Sequence, residues 1–415
     1  MPVLDPMMFK PFLLPALALL GIAGFVAFYL NGAPAKAGVR VSGDQILLDG
    51  KPFQMRGAAG TQRLDILKGL GATVVRTYGD PPDAVLNEAQ KLGLKVVVGF
   101  WLEHPRRGFD YRDPAQAKAQ LDQLEAFIRR YKDHPALLMW GLGNEVEAEL
   151  DDDSAVWPGI AEAARLVRGI DPDHPIMAVL AEAGGDKVTR LMQAAPDIDV
   201  LGVNSYGDAL LSLPERVRAQ GWKGPLVVTE LGALGQWQAQ PKPWGAVIEP
   251  TSTQKAALLR TYLGGLKPKT AGQILFYWGQ KQEVTPTWHS LLLPDGSWNE
   301  IAEVMAEVWG GRAPGGNRAP RIGRFDMEAG RAVLEVTDPD GDPLDVHWDV
   351  MAESTDLRKA GDLESVPARH AAAILSSDHA GARIGGLPPG AYRLFVTIRD
   401  GRGAVASGNL PFLAP

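Results

Sequence analysis

The sequence predicts an α/β fold, a (β/α)8 TIM barrel followed by a small C-terminal β-sandwich, with an N-terminal hydrophobic helix. Eight apolar runs alternate with helical segments over roughly 250 residues, the length and pattern of such a barrel. Short strands with Gly, Asp and Pro turns fill the last part of the chain, and an apolar run opens it. We therefore divide the chain into 1–37, the hydrophobic segment; 38–310, the barrel; 311–319, a linker; and 320–415, an immunoglobulin-like β-sandwich.

The eight predicted barrel strands are apolar throughout, as expected for strands that are buried on both faces. A β-hairpin is predicted over 39–55, with Asp49-Gly50 as its turn. It overlaps the start of the first barrel strand and precedes the other seven. A doubly wound open sheet is the alternative, but no glycine-rich phosphate loop follows the first strand. The predicted strands begin near residues 53, 73, 95, 137, 176, 199, 226 and 274.

Helices are predicted between these strands from proline and N-cap signals. Pro81-Pro82 and Pro214 each suit the first turn of a helix. Ser154 is the expected N-cap of one helix, and Thr251 or Thr253 of another. The predicted helices cover 81–92, 114–131, 154–169, 187–195, 214–220, 253–266 and 298–309.

The composition excludes several classes of function. The chain has no cysteine, which rules out disulfides, thiolate zinc sites and cysteine nucleophiles. The net charge of −7 comes without a clustered basic face, so we expect no nucleic-acid partner. The histidines have no paired ligand spacing, and the Asp338–Asp342 segment fits an Asp-Gly turn better than a Ca²⁺ loop. We therefore expect no metal and no cofactor.

The first 37 residues predict export. Lys10 precedes an apolar run from Pro11 to Leu30, close to the ~20 residues that span a bilayer. An uncleaved membrane anchor is favoured. A cleaved signal peptide is the alternative, since Ala33–Ala37 offers A-x-A patterns. A buried core helix fits poorly because the run is apolar all round. Export would place the rest of the chain in the periplasm or at the cell surface, or release it if the segment is cleaved.

Two glutamates each follow a predicted strand. Glu145 comes after Leu137–Trp140, in the segment G-L-G-N-E-V-E, and Glu230 comes after Leu226–Val228, in V-V-T-E-L-G. The carboxyl ends of the strands form the mouth of such a barrel, where its chemistry is found. On strands four and seven the two carboxylates would face each other across that mouth. This is the arrangement that glycoside hydrolysis needs.

The neighbouring residues predict different roles for the two carboxyl groups. A nucleophile must stay ionised, whereas an acid/base needs a raised pKa. We expect Arg76 and Tyr206 to donate to Glu230, and Asn144 to hold a sugar hydroxyl. Trp278, at the end of strand eight, is expected to form a stacking floor, because sugars present apolar C–H faces to aromatic rings.

These motifs resemble the barrel of glycoside hydrolase clan A, with family 2 catalytic barrels as the nearest match. The V-R-T-Y-G and G-N-E-V segments also resemble β-1,3-glucanases and β-1,3-glucanosyltransferases of families 17 and 72. Leu231 departs from those two families, which more often carry an aromatic residue after the glutamate. The resemblance covers about residues 39–310 and is carried by R-T-Y-G at 76–79, G-N-E at 143–145, N-S-Y at 204–206, T-E-L-G at 229–232 and Y-W at 277–278.

The resemblance implies a retaining enzyme with Glu145 as acid/base and Glu230 as nucleophile. The residues around the sugar would be Arg76, Asn144, Tyr206 and Trp278. The implied activity is that of a hydrolase or transglycosylase acting on a β-linked glucan or another cell-surface polysaccharide.

Two alternatives come from other functional classes. One is a catalytically silent barrel that binds polysaccharide, against which the intact glutamate pair with Arg76 argues. The other is a membrane-tethered accessory protein of polysaccharide synthesis or export that uses the sandwich for docking.

Overall fold

The computed structural model describes residues 38–328, 330–358 and 361–415. The hydrophobic helix predicted within residues 1–37 lies outside the described residues, so its role as anchor or signal stays a prediction. Among the residues described, none of the helices combines the length and the apolar content that crossing a bilayer requires.

A three-stranded antiparallel sheet opens the described chain, as the hairpin pattern predicts. Its strands are β1 (Val39–Ser42), β2 (Gln45–Leu48) and β3 (Lys51–Pro52). Asp49 and Gly50 have φ values of 52° and 76°, the left-handed turn that the Asp-Gly pair favours. Val39 and Ile46 pack with Met55, where the first barrel strand begins. This sheet therefore contacts the barrel at the end opposite the carboxyl ends of its strands.

Eight parallel strands then close into a barrel, and a helix follows each, which confirms the predicted (β/α)8 architecture. The strands are β4 (Met55–Ala59), β5 (Val74–Arg76), β6 (Lys95–Phe100), β7 (Leu137–Leu142), β8 (Ile176–Ala181), β9 (Val200–Tyr206), β10 (Leu226–Gly232) and β11 (Gly272–Leu275). The helices are α1 (Leu64–Gly69), α2 (Asp83–Leu92), α3 (Pro114–Tyr131), α4 (Val156–Ile170), α5 (Lys187–Ala194), α6 (Ala209–Ala219), α7 (Ser252–Leu266) and α8 (Glu300–Trp309).

The barrel strands are buried on both faces. Val97 of β6 packs inside the barrel with Met139 and Met177 of the next two strands. Val96 and Val98, on either side of Val97, belong to the core between strands and helices. Because successive side chains of a strand point to opposite faces, both faces must be apolar, which explains the uninterrupted apolar runs.

Several helix boundaries differ from the prediction. Helix α1 was not predicted, since it is short and Arg63 at its N-cap position makes no side-chain cap. Helix α6 begins at Ala209, before the predicted start at Pro214. Pro214 therefore lies inside the helix rather than in its first turn. Helix α4 begins after Ala155, so Ser154 is not its N-cap. Thr251 does cap α7, accepting a hydrogen bond from the backbone N–H of Gln254 at 3.3 Å.

Two four-stranded sheets follow the barrel and share one apolar core. Leu334 from one sheet packs in this core with Trp348 and Leu394 from the other. Two facing sheets around a common core form a sandwich arrangement. One sheet has the order β12-β19-β18-β15 and the other β13-β14-β17-β16, with strands β12 (Trp298–Asn299), β13 (Arg321–Glu328), β14 (Arg331–Thr337), β15 (Asp345–Ala352), β16 (Ile374–Asp378), β17 (Gly381–Ile384), β18 (Gly390–Arg399) and β19 (Ala404–Ala414).

The C-terminal sheets contact the barrel directly. Strand β12, between β11 and α8, pairs in parallel with β19. Asn409 of β19 donates to the Glu249 carboxylate at 2.5 Å, and Arg393 of β18 donates to the Val247 carbonyl at 3.0 Å. Asn317, within the predicted linker, is 1% exposed. The residues from 38 onward form one compact unit.

A loop of the C-terminal part, between β15 and β16, reaches the loops at the barrel mouth. Asp362 accepts from Arg106, in the loop after β6, at 3.1 Å. Glu364 accepts from the backbone N–H of Val284, in the loop after β11, at 2.6 Å. The C-terminal part therefore borders the carboxyl end of the barrel as well as its side.

The Asp338–Asp342 segment forms the turn that its sequence favours. The Asp338 carboxylate accepts from the backbone N–H groups of Asp340 and Asp342 at 2.8 and 3.1 Å. The carboxylates of Asp338, Asp342 and Asp400 have oxygens within 4.8 Å of one another. The expectation of no metal stays a prediction.

Candidate active site

Both glutamates lie at the carboxyl end of the barrel. Glu145 follows strand β7 after a turn in which Gly143 has a φ of 68° and Glu145 itself a φ of 53°. A left-handed backbone is rare for a residue with a side chain and occurs often at functional sites. The backbone N–H of Glu145 donates to the Val179 carbonyl of β8 at 3.0 Å, which fixes this turn against the neighbouring strand.

Glu230 lies within strand β10, at an irregularity in its pairing with β9. Val228 pairs with Val203, but Glu230 pairs with Asn204, so the register shifts by one residue between them. Such a bulge redirects the side chains that follow it. Here it places Glu230 beside the end of β9, which ends at Tyr206.

Three donors hold the Glu230 carboxylate. Arg76 Nη1 and the Tyr78 hydroxyl lie 3.2 and 2.8 Å from Oε1, and the Tyr206 hydroxyl donates to Oε2 at 2.9 Å. Arg76 is itself fixed by a 2.9 Å hydrogen bond to the Thr229 carbonyl. A cation and two hydroxyl donors thus form charge-assisted hydrogen bonds to one carboxyl group and fix its orientation.

The two tyrosines keep their protons in this site. Burial, and then the negative charge of Glu230, raise the pKa values of both Tyr78 and Tyr206 well above the usual 10. Both hydroxyls therefore remain donors to the carboxylate over the whole neutral range. The Arg76 guanidinium also lies over the Tyr78 ring, 4.4 Å from its centroid.

Glu145 has the opposite environment. One side chain, Asn204, donates to its Oε1 at 2.8 Å. Burial, and then the nearby charge of Glu230, raise the pKa of the Glu145 carboxyl to about 8, while the Asn204 hydrogen bond opposes the shift. At neutral pH this carboxyl group is protonated and able to donate a proton.

Asn144 and Asn204 connect the surroundings of the two glutamates. Asn144 Oδ1 accepts from Arg76 Nη2 at 2.7 Å and from Asn204 Nδ2 at 3.1 Å. Asn204 Oδ1 in turn accepts from the Thr229 hydroxyl at 2.8 Å. Because the Asn144 oxygen is used in this way, its Nδ2 is the group that remains for the predicted contact with a sugar hydroxyl.

Trp278 is not the stacking surface that the sequence predicts, because its side chain has no exposed area. Its indole N–H donates to the Gln62 carbonyl at 2.5 Å, and its ring belongs to the core between strands and helices. Phe276, two residues earlier, lies in the site instead. Its ring centroid is 6.5 Å from those of Tyr78 and Tyr206, and it is partly exposed.

The structure thus brings five of the six predicted site residues into one hydrogen-bonded cluster, and Trp278 lies outside it. Sequence reasoning missed Tyr78, Asn204 and Phe276. The signal for the first two was their spacing: Tyr78 stands two residues after Arg76, and Asn204 two residues before Tyr206. Alternate residues of an extended segment share one face.

Two other glutamates near these strand ends have structural partners. Glu147 is buried, and it accepts from the Ala181 backbone N–H at 2.9 Å and from Lys187 at 3.1 Å. Glu182 accepts from the Ser205 hydroxyl at 2.6 Å and pairs with Arg216 at 2.8 Å. Both carboxylates are therefore held by partners other than Glu145 and Glu230.

The known proteins that this chain resembles are glycosidases. The family model for the TIM barrel domain of glycosyl hydrolases family 2 matches residues 84–218. Human β-glucuronidase is 25% identical over 228 residues, 47% of this chain and 33% of that protein. The β-glucuronidase of Paenibacillus borealis is 31% identical over 197 residues, 40% of this chain and 31% of that protein.

A solved structure, the β-D-glucuronidase of Dictyoglomus thermophilum, has the same fold. It aligns with a TM-score of 0.53 and 20% identity over 66% of this chain and 53% of that chain. The chain therefore spans about a third of the length of the two curated relatives and about half of this solved chain. The predicted similarity to families 17 and 72 stays a prediction. The family model, the relatives and the fold together show that the barrel of this chain is similar to the TIM barrel domain of family 2 glycosyl hydrolases.

Proposed function

We propose that this chain is a retaining glycoside hydrolase or transglycosylase that acts on a β-linked glucan or another cell-surface polysaccharide. The observation that carries the proposal is the contrast between the two carboxyl groups. Glu230 receives a cation and two hydroxyl donors, whereas burial raises the pKa of Glu145 to about 8. Retaining glycosidases need one carboxylate and one carboxylic acid beside the same glycosidic bond.

The reaction would proceed in two displacements. In the first, Glu145 gives its proton to the glycosidic oxygen while a Glu230 oxygen bonds to the anomeric carbon, and the bond to the leaving group breaks. In the second, Glu145 takes a proton from water or from a sugar hydroxyl. The oxygen that loses this proton then bonds to the anomeric carbon and releases Glu230. Two inversions give net retention.

The other side chains would prepare the site for these steps. Arg76, Tyr78 and Tyr206 hold Glu230 in a fixed orientation, so that little reorganisation is needed when it attacks. Asn144 would contact a sugar hydroxyl through Nδ2. The partly exposed ring of Phe276 would face the apolar side of the sugar.

The test combines trapping and product analysis. The full chain is incubated with β-1,3-, β-1,4- and β-1,6-linked glucooligosaccharides and with aryl β-glycosides, including the β-glucuronides and β-galactosides that the relatives' names suggest. Products are identified by mass. A 2-deoxy-2-fluoro glycoside of the best substrate should leave one sugar on the peptide that contains Glu230. Glycan binding without any product, or products of inverted configuration, would contradict the proposal.

We also propose that residues 38 onward act outside the cytoplasm, because the apolar run from Pro11 to Leu30 has the length of an export or anchor segment. Fusion of residues 1–60 to a phosphatase that is active only after export tests this. Phosphatase activity that disappears when the run is removed would support it. Equal activity without the run would contradict it.

A further inference from the structure

A polar cluster of two buried and two partly buried side chains lies beside the proposed catalytic pocket. Four side chains form it: Gln236, Lys281, Glu283 and His289. Gln236 Nε2 donates to Glu283 Oε1 at 2.9 Å, and Gln236 Oε1 lies 3.1 Å from His289 Nε2. Lys281 pairs with the second oxygen of Glu283. The two-displacement mechanism uses none of these four residues.

The cluster borders the pocket through two aromatic rings. The His289 ring centroid lies 5.3 Å from that of Tyr206, whose hydroxyl donates to Glu230. It also lies 5.5 Å from the Phe276 ring centroid, and Lys281 Nζ is 5.7 Å from the same ring. Tyr206 and Phe276 thus connect the cluster to the Glu230 site.

The cations of this region are already paired. Arg76 lies 3.2 Å from the Glu230 carboxylate, and Lys281 pairs with Glu283. His289 is neutral at pH 7, because burial lowers its pKa to about 4. Among the described residues of the cluster and the Glu230 site, the two cations are Arg76 and Lys281. Arg76 contacts the Glu230 carboxylate, and Lys281 contacts that of Glu283.

We propose that the sugar bound against Glu230 is an uncharged hexose and that Glu283 sets this preference. The inference rests on the proposed function, because it names the substrate class of the same site. A uronic acid would bring a third carboxylate to a region where two cations already face two carboxylates. An anion that leaves water without a partner of opposite charge is strongly disfavoured. Neutral hydroxyls can use both the donors and the acceptors of the cluster.

To pair with a substrate carboxylate, Lys281 would have to leave Glu283, and this exchange is energetically unfavourable. The Glu283 side chain is 6% exposed, so loss of Lys281 would leave a buried charge with the Gln236 hydrogen bond and a His289 ring, 3.7 Å away, that is neutral at pH 7. Breaking a buried ion pair in this way is strongly destabilising. An unfavourable charge of this kind is a common source of specificity. The inference separates this chain from the β-glucuronidases that it resembles.

Hydrolysis of 4-nitrophenyl β-D-glucoside, β-D-galactoside and β-D-glucuronide by the full chain tests the preference. We expect kcat/KM for the better neutral substrate to exceed that for the glucuronide about 100-fold or more, the effect of an unpaired like charge. Glu283→Gln leaves Lys281 unpaired and should move this ratio toward the glucuronide about tenfold or more.

A matched control is available in the same part of the barrel. Glu249 is also a buried carboxylate paired with a lysine, Lys255, at 2.5 Å, but its other partners are threonines and Asn409. Glu249→Gln should change the substrate ratio less than Glu283→Gln does, because the charge of Glu249 acts on His289 more weakly than that of Glu283. If Glu283→Gln does not fold, Lys281→Gln tests the same pair and should lower the glucuronide rate further relative to the neutral one.

Calorimetry with isofagomine and uronic isofagomine on the unmodified chain shows whether a negative result contradicts this inference alone or the proposed function as well. Tighter binding of isofagomine supports the inference. Tighter binding of uronic isofagomine, or faster hydrolysis of the glucuronide, overturns it and leaves the proposed function standing. A neutral preference that Glu283→Gln changes no more than Glu249→Gln does overturns the role of Glu283. Binding of neither compound, with cleavage of no glycoside, overturns the proposed function and this inference with it.

Discussion

The surroundings of Glu145 and Glu230 differ more than their positions do. Both residues lie at the carboxyl ends of apolar strands of one barrel, and both are largely removed from water. Glu230 receives Arg76, Tyr78 and Tyr206, whereas Glu145 receives Asn204 as its side-chain donor. Burial alone raises a carboxyl pKa, and donors or cations lower it. The number of donors around each group therefore decides which glutamate is the acid.

The largest expected effect comes from Glu230→Gln. This change removes the proposed nucleophile and should lower kcat roughly 10⁴- to 10⁶-fold, as loss of a nucleophile does elsewhere. Steady-state hydrolysis of the best aryl glycoside measures it. Glu182→Gln is the control, since this carboxylate also ends a barrel strand but bonds to Ser205 and Arg216. Similar losses in the two variants would remove the distinction between these carboxylates.

Glu145→Gln is expected to have a smaller effect that depends on the leaving group. Loss of a general acid costs about 10²- to 10⁴-fold for leaving groups that need a proton. An activated aryl glycoside needs none, so its glycosyl-enzyme should form and then accumulate, because no base activates the water. A burst of aryl product followed by slow turnover, with the adduct seen by mass, is the expected result. Equal losses for good and poor leaving groups would contradict the assignment.

Tyr78→Phe and Tyr206→Phe should each lower kcat about 10- to 100-fold, the value of one hydrogen bond to a charged group. Each tyrosine donates to a different oxygen of Glu230. Loss of either donor should leave the carboxylate less firmly oriented. Tyr262→Phe is the matched control, because its hydroxyl donates to Asp208 at 2.8 Å on the outer side of the barrel. An effect of Tyr262→Phe as large as the other two would indicate a general loss of stability.

The smallest effect is expected from pH. Glu145 must be protonated to act, so kcat/KM should fall about tenfold per unit above the pKa of this group, about 8. This fall should be absent from Glu145→Gln when an activated substrate is used. A profile that is flat to pH 10 in the unmodified chain would contradict the raised pKa.

The same pKa has a consequence for stability, with a definite sign. An unfolded glutamate releases its proton near pH 4.3, and folded Glu145 near 8. The stabilisation linked to this proton is therefore complete below about pH 4.3 and is lost as the pH rises through about 8. The Tm of Glu145→Gln, relative to the unmodified chain, should increase over this interval.

The sequence was sufficient for the barrel and for the pairing of its two glutamates. Continuous apolar runs mark strands that are buried on both faces, and all eight are present. Residues at the carboxyl ends of such strands converge because the topology requires it, so Arg76, Asn144 and Tyr206 also lie where they were expected.

What the sequence did not determine is where each strand ends and which side chains then turn inward. Strand β11 ends at Leu275, so Phe276 enters the site and Trp278 packs into the core. The predicted strand ended at Trp278, three residues later, and this difference in one boundary exchanged the two aromatic side chains. Pro214 shows a similar limit, since proline favours the first turn of a helix but packing placed it inside α6.

The contacts between the C-terminal sheets and the barrel restrict how this protein can be recombined with its relatives. A chimera joined at 311–319 would separate Asn409 from Glu249, Arg393 from Val247, and strand β12 from β19. Glu364, which holds a loop at the barrel mouth, would be exchanged as well. We therefore expect the substrate preference of such chimeras to depend partly on which protein supplies the C-terminal segment. The two parts are therefore physically coupled through residues that lie outside both glutamate environments.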